Sequence, residues 1–212
     1  MPDGDMARHV IRRRTYVWPP TSGNAFPRAV VQQVLDSAGS DQDWAGVPLD
    51  LPLAEATPLL GPVVSLADTG GSYRFHHDNF SLEWRRDWTT FLHDHIEQTI
   101  KGHARLRAIA AVIGVDLPAD PSAALDWAFI AYRLASVRLD ARSHPVPGDR
   151  RLRLAARGIA AVLTQPSYPG RARIRRAVWM LALAAAPAGQ VESLVERAYG
   201  RPFGRMSTET GA

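Results

Sequence analysis

The sequence contains no cysteine and only one lysine, and both scarcities limit what the chain can do. Without cysteine there is no disulfide and no thiolate nucleophile, so any metal ion must be bound by histidine, aspartate or glutamate. No uncharged apolar run of spanning length occurs, and no apolar segment of signal length follows the basic residues 12–14. We therefore expect a cytoplasmic protein that is neither exported nor inserted into a membrane.

The sequence also lacks the motifs of the common enzyme classes. It has no G-x-S-x-G, no glycine-rich phosphate loop and no HExxH zinc motif. These absences argue against the common motif-bearing enzyme classes, but they leave open whether the protein is an enzyme.

Charge is distributed unevenly along a chain whose hydrophobic content of 46% is typical of a folded protein. Residues 1–149 carry 14 basic and 18 acidic groups, whereas residues 150–212 carry 11 basic and 3 acidic groups. All basic residues except Lys101 are arginines. The C-terminal third is therefore strongly basic.

Apolar spacing predicts a mainly α fold, a helical bundle of about five to six helices with one short β-hairpin near residues 63–76. The hairpin is indicated by two apolar runs around Thr69, Gly70 and Gly71. Asp120 and Pro121 predict the start of a helix, and further helices are expected near 149–164, 170–186 and 189–199. The expected organisation is a flexible N-terminal arm (1–24), a short helix with loop and hairpin (25–79), a helical bundle (80–205) and a flexible tail (206–212), with 25–205 forming one domain.

Five of the seven histidines lie between Phe75 and His103. His93 and Glu97 are one helical turn apart, so both can reach one divalent metal ion or one substrate, with His76 or His77 as the third group. An ordinary helix explains the same residues, with His95 as a hydrogen-bonded core histidine and His93 on the polar face.

Arg138 and His144 resemble the Arg-x4-6-His motif of HEPN-type RNases, helical toxins in which the pair serves RNA cleavage. The resemblance implies an RNase-like role for these two residues. The motif is short, and about two such pairs are expected by chance in a chain of this composition. Arg86 with His93 is a second pair.

The stretch around Tyr73, Phe75, His76 and Phe80 resembles the end of the winged-helix part of STAND-type signalling NTPases. The resemblance covers about thirty residues and implies a hairpin packed on a helix and a regulatory role. No Walker motif precedes it, so the nucleotide-binding function of that family is not implied.

Two predicted helices carry the arginines of the basic third. In 149–164, Leu152, Ala155, Ile159 and Leu163 form the expected core stripe. In 170–186, the apolar stripe is Ile174, Val178 and Leu181. The arginines on the other faces are Arg150, Arg153, Arg157, Arg171, Arg175 and Arg176. Cations near a helix N-terminus are disfavoured by the macrodipole by a few tenths of a kcal/mol each, so another interaction should favour them there.

The leading hypothesis is a non-catalytic binding or regulatory helical protein whose basic C-terminal helices contact nucleic acid or an acidic protein partner. The acidic first half of the chain is another candidate partner for these arginines. The alternative is a hydrolase with a metal or acid–base site at His93, Glu97 and His76 or His77, or an RNase-like toxin using Arg138 and His144. Apart from that divalent metal no cofactor is expected, and the oligomeric state is open.

Overall fold

A computed structural model of the chain describes residues 3–15, 23–37, 50–66, 88–120, 124–166 and 168–199. These residues form eight α-helices and a 3-10 turn at Thr57–Leu59, and they contain no β-strand. The prediction of a mainly helical bundle is confirmed. The helices are α1 (Ala7–Arg13), α2 (Arg28–Ser37), α3 (Asp50–Ala56), α4 (Trp88–Val112), α5 (Trp127–Leu139), α6 (Arg151–Leu163), α7 (Gly170–Ala185) and α8 (Ala188–Tyr199).

The chain divides into two compact units. Unit 1 comprises Met1–Ser72 and Glu97–Trp127, and unit 2 comprises Tyr73–Ile96 and Ala128–Ala212. Helix α4 therefore contributes its first part to unit 2 and its second part to unit 1.

The core of unit 1 is formed by apolar side chains from α1, α2, α3 and α4 and from the segments that follow α3 and α4. Its buried members are Val10, Val34, Ala56, Leu106, Ile109, Ala110 and Leu117. Sequence analysis assigned residues 1–24 to a flexible arm. The described part of that segment instead contains α1, and Val10 on this helix is fully buried.

The β-hairpin expected near residues 63–76 is not seen in the part of this range that the structure describes, residues 63–66. Val63 forms an isolated antiparallel bridge with Gly4, in which each backbone N–H donates to the carbonyl of the other residue, at 2.7 and 2.9 Å. The backbone groups that a hairpin at Val63 would use are thus engaged by the N-terminal segment. The expected turn at Thr69, Gly70 and Gly71 lies outside the described residues.

Helix α4 ends in a turn that sends the chain back along the core of unit 1. The Val115 N–H donates to the Ala110 carbonyl at 2.7 Å, and the Gly114 N–H donates to the Ala111 carbonyl at 3.2 Å. This is the Schellman pattern, which requires a left-handed residue, and Gly114 supplies it with φ of 78°. Glycine adopts this conformation without a steric penalty.

The start predicted for α5 at Asp120 and Pro121 is wrong. The helix begins at Trp127. The reason is visible at Leu125, whose N–H donates to the Arg12 carbonyl and whose carbonyl accepts from Nη1 of Arg13. Because its backbone groups are bonded to α1, Leu125 does not join the helical ladder.

Unit 2 contains the predicted helices of the last third, with bounds within two residues of those expected. Helices α6 and α7 are joined by the short segment 164–169 and pack against each other, and α7 also packs against α8. Neighbours connected this closely run antiparallel. Buried side chains of this unit include Phe129, Ile130, Leu134, Leu154, Met180, Leu183, Val191 and Val195.

Candidate binding surface

Helix α6 packs through a different face from the one predicted. Its buried residues are Leu154, Ala155, Gly158, Ala161 and Val162, whereas Leu152 and Leu163 are 71% and 50% exposed. Gly158 explains the rotation. A Cβ atom there would lie 2.1 Å from Cε of Met180, so the missing side chain lets α6 approach α7 closely. The sequence stripe of aliphatic residues was taken for the core, but its two leucines face outward.

Helix α7 likewise presents aliphatic side chains to solvent. Ile174, Val178 and Leu181 recur at spacings of four and three, which places them on one face, and they are 64%, 58% and 55% exposed. The core is contacted instead by Met180, Leu183 and Ala184. Trp179, whose Nε1 donates to the Leu194 carbonyl at 2.9 Å, marks the side of α7 that faces α8.

Exposed arginines accompany these aliphatic residues. Arg150, Arg153, Arg171 and Arg175 are all exposed. None of the four forms an ion pair with a carboxylate of the described residues. Neither helix has an acidic residue in its first turn or a side-chain N-cap hydrogen bond, so the charges at these helix starts are not offset locally. We call this set of exposed aliphatic and arginine side chains on α6 and α7 the basic face.

The other arginines of this region have contacts within unit 2. Arg173 donates to two carbonyl oxygens, from Nε to Tyr168 in the segment before α7 at 2.9 Å and from Nη1 to Leu163 at the end of α6 at 3.4 Å. The guanidinium of Arg176 lies 4.1 Å from the centre of the Tyr168 ring, in a cation–π contact. Arg157 is half-buried. Arg157 and Arg176, predicted as binding residues, are therefore less accessible than the other four.

A buried polar network joins α5 to the loop that precedes α6. Arg133 donates to both carboxylate oxygens of Asp149, from Nη2 at 2.5 Å and from Nε at 2.7 Å. His144 bridges Asp149 and Ser136, with Nε2 at 3.0 Å from the carboxylate and Nδ1 at 2.9 Å from the hydroxyl. Arg133 and Ser136 are 3% and 1% exposed.

The electrostatics of this network favour an ionised aspartate. Burial raises the pKa of Asp149, but the hydrogen bonds from His144 and Arg133 and their positive charge outweigh it and hold the pKa below its ordinary value. The hydroxyl, imidazole and carboxylate groups follow the order found in serine hydrolases, but a substrate cannot reach a hydroxyl that is fully enclosed. The arrangement supports the fold by satisfying a buried arginine.

Arg138, the other half of the predicted RNase pair, contacts the end of α7. Its Nη2 donates to the carbonyl of Ala186, the residue that caps α7. A cation beside the terminal carbonyls of a helix is favoured by the macrodipole. Arg138 and His144 thus both make contacts that hold elements of unit 2, and an RNase role for them stays a prediction.

The structure describes only part of the predicted histidine site. His93 and Glu97 lie one turn apart on α4, with His93 half-buried and Glu97 exposed. His76 and His77, the expected third ligands, lie outside the described residues. Among the residues that the structure does describe, no group of three or more histidine and acidic side chains is placed to hold a metal ion.

His95 is half-buried beside aromatic rings. Its Nδ1 lies 3.0 Å from the Phe91 carbonyl one turn earlier, and its ring centre is 4.1 Å from that of Phe91 and 5.3 Å from that of Tyr132. Burial lowers the pKa of His95 more than its bond to Phe91 and the charge of Asp94 raise it. These are the surroundings of a structural histidine.

Comparison with family models, with curated proteins and with solved structures finds no match to this chain. No helix within the described ranges is both long and apolar enough to cross a bilayer. What the chain does must therefore be argued from the geometry of its own residues.

Proposed function

We propose that this is a non-catalytic cytoplasmic binding protein whose basic face docks an acidic, amphipathic helix of a partner protein. The observation that carries the proposal is that exposed aliphatic side chains on α6 and α7 stand beside Arg150, Arg153, Arg171 and Arg175, which form no ion pair with the described residues. An acidic amphipathic helix is complementary to both components. Its apolar stripe covers the exposed aliphatic side chains, and its carboxylates pair with the guanidinium groups.

The aliphatic component argues for protein over nucleic acid. Phosphates are bound by arginine, but a phosphate backbone would leave Ile174, Val178 and Leu181 in contact with water. Covering apolar surface contributes roughly 25 cal/mol per Å². A protein partner gains this contribution in addition to the ion pairs, so it makes use of more of the observed surface.

The charge of the basic face argues against a second copy of the same chain. Helices α6 and α7 contain seven arginines and no acidic residue. In a two-fold symmetric contact the same patch faces itself, so arginines would oppose arginines. Like charges across an interface disfavour that pairing. The partner is therefore expected to supply the acidic groups.

The direct test is fluorescence anisotropy of a labelled helical peptide of about 20 residues, long enough for roughly 30 Å of helix. The peptide carries leucine at spacings of three and four and glutamate between. One variant replaces Arg150, Arg153, Arg171 and Arg175 with glutamine, and a second replaces Ile174, Val178 and Leu181 with glutamine. Each should weaken binding by about tenfold or more, equivalent to 1.4 kcal/mol.

Matched controls use exposed residues elsewhere in the chain. Arg142→Gln with Arg197→Gln removes two exposed charges, and Val64→Gln with Leu66→Gln removes two exposed aliphatic side chains. Both controls should bind the peptide as the unmodified protein does. Duplex DNA, RNA or anionic lipid vesicles are tested in parallel. The proposal would be overturned if the peptide did not bind and one of these other ligands bound the protein and its aliphatic variant with equal affinity.

A further inference from the structure

Unit 1 contains a small cavity between the end of α1, the middle of α4 and the segment that follows α4. Its volume is about 120 Å³, and its polar lining comes from Arg14, His103 and Arg107 together with the backbone at Pro118 and Ala119. Three nitrogen-bearing side chains thus line one partly open cavity, and no carboxylate is among its lining residues.

Arg14 is held in this cavity by an unusual backbone conformation. It caps α1 with φ of 65°, in the left-handed region that non-glycine residues seldom adopt, and its N–H donates to the Val10 carbonyl. The side chain is only 2% exposed. Its Nη2 donates to the Pro118 carbonyl at 3.0 Å, but Nη1 is buried and has no hydrogen-bond partner among the described residues.

The charges around Arg14 leave an excess of positive charge. Burial and the charge of Arg107 lower the pKa of Arg14, while Asp116 raises it. Arg107 is exposed and donates from Nη1 to the Ala119 carbonyl at 3.3 Å. Burial and the charge of Arg14 lower the pKa of His103 to about 3, so this imidazole is neutral at pH 7.

A larger open groove of about 460 Å³ adjoins the cavity and shares Ala104 and Arg107 with it. Its other lining is mostly apolar, with Ala108, Ala111, Val115 and Leu117, and Asp116 also lies along it. This volume is within the range of small-molecule sites. Two guanidinium groups beside one carboxylate leave one net positive charge, which matches a monoanion.

We propose that unit 1 binds a small monocarboxylic acid, with its carboxylate on Arg14 and Arg107 in the cavity and its apolar body in the adjoining groove. The carboxylate accepts from Nη1 of Arg14, which has no partner among the described residues, and from Arg107, and the imidazole of His103 lines the same cavity. The pairing of a guanidinium with a carboxylate is a strong, directional hydrogen bond. This site is separate from the basic face and does not depend on the function proposed for it.

Isothermal titration calorimetry with hexanoate, with 1-hexanol as the uncharged analogue and with inorganic phosphate tests the site. Hexanoate should bind, and hexanol and phosphate should bind about tenfold more weakly or not at all. Arg107→Gln should weaken hexanoate binding by about tenfold, and Arg14→Met should abolish it. The exposed Arg8→Gln on α1 is the matched control and should leave binding unchanged.

Because Arg14 is buried, the test also includes a readout on the unmodified protein, which does not depend on the folding of Arg14→Met. In the unmodified protein, the imidazole carbon signals of His103 in an NMR titration should shift with hexanoate and not with hexanol. Absence of hexanoate binding, binding unchanged in Arg107→Gln, or chemical shift changes that spare His103 would each overturn the proposal.

Discussion

The buried pair of Arg133 and Asp149 offers the sharpest test of what holds unit 2 together. Asp149→Asn keeps the side-chain shape but removes the charge that accepts two hydrogen bonds from Arg133 and one from His144. Arg133 is only 3% exposed, so its charge would be left buried without compensation. Removing one partner of a buried ion pair costs about 3–5 kcal/mol, a large part of the 5–15 kcal/mol that stabilises a typical domain.

Urea denaturation followed by circular dichroism measures this loss. Asp140→Asn is the matched control, because the carboxylate of the half-buried Asp140 accepts its hydrogen bonds from the nearby Arg142 and Ser143 and not from a buried cation. The pKa of Asp149 is lowered in the folded protein, so its contribution is present above the unfolded-state value of about 3.9 and is lost as pH falls through the folded-state value. Asp149→Asn should therefore flatten the acid side of the stability profile. A loss below about 1 kcal/mol would refute the assignment of a buried, uncompensated charge.

Three further substitutions test other elements. Arg150→Asp places a favourable N-cap at α6, so it should raise the free energy of unfolding by about 1 kcal/mol in denaturation and weaken binding of the acidic peptide in anisotropy. A loss of stability would contradict the inference that a cation is unfavourable at the start of α6. Gly158→Ala should lower the free energy of unfolding by about 1–3 kcal/mol despite the better helix propensity of alanine, because the added Cβ meets Met180. In a double-mutant cycle, Gly158→Ala with Met180→Ala should lower the free energy of unfolding by less than the sum of the two single changes. Burial and the charge of Asp126 raise the pKa of Glu55 well above its ordinary value, so the contribution of Glu55 to stability should fall as pH rises above about 4.3. Glu55→Gln should remove that fall and raise the melting temperature at pH 7, and an unchanged melting temperature would contradict this prediction.

Sequence periodicity located the helices of the last third but did not orient all of them. Helices α6, α7 and α8 begin and end within two residues of the prediction, because their proline and glycine boundaries are local signals. The face of α6 was predicted from side-chain hydrophobicity alone, which gave Leu152 and Leu163 to the core. The close contact of Gly158 with Met180 decides the rotation instead, and a residue without a side chain carries no weight in a hydrophobic pattern.

The polar groups that matter inside the units were less accessible to prediction. Arg133 did carry a signal, since it is the charged residue in the middle of an otherwise apolar stretch of α5, and such a residue needs a buried partner. Its partner Asp149 lies in a loop, where an aspartate is expected for turn formation alone. Arg14 carried no signal, because a left-handed arginine at a helix end is set by packing between α1 and the segment after α4.

Two groups of arginines among the described residues of unit 2 differ in a way that bears on function. Arg133, Arg138 and Arg173 each donate to a carboxylate or to backbone carbonyls within unit 2, and these contacts account for their positions. If the remaining arginines reflected composition alone, we would expect them at surface positions where a positive charge has no effect on stability. Arg150, Arg153 and Arg171 instead stand near helix starts, where a cation is unfavourable, beside leucine and isoleucine side chains that are left in water. Two separate features of the basic face thus oppose the stability of the free protein, and one acidic amphipathic partner would relieve both.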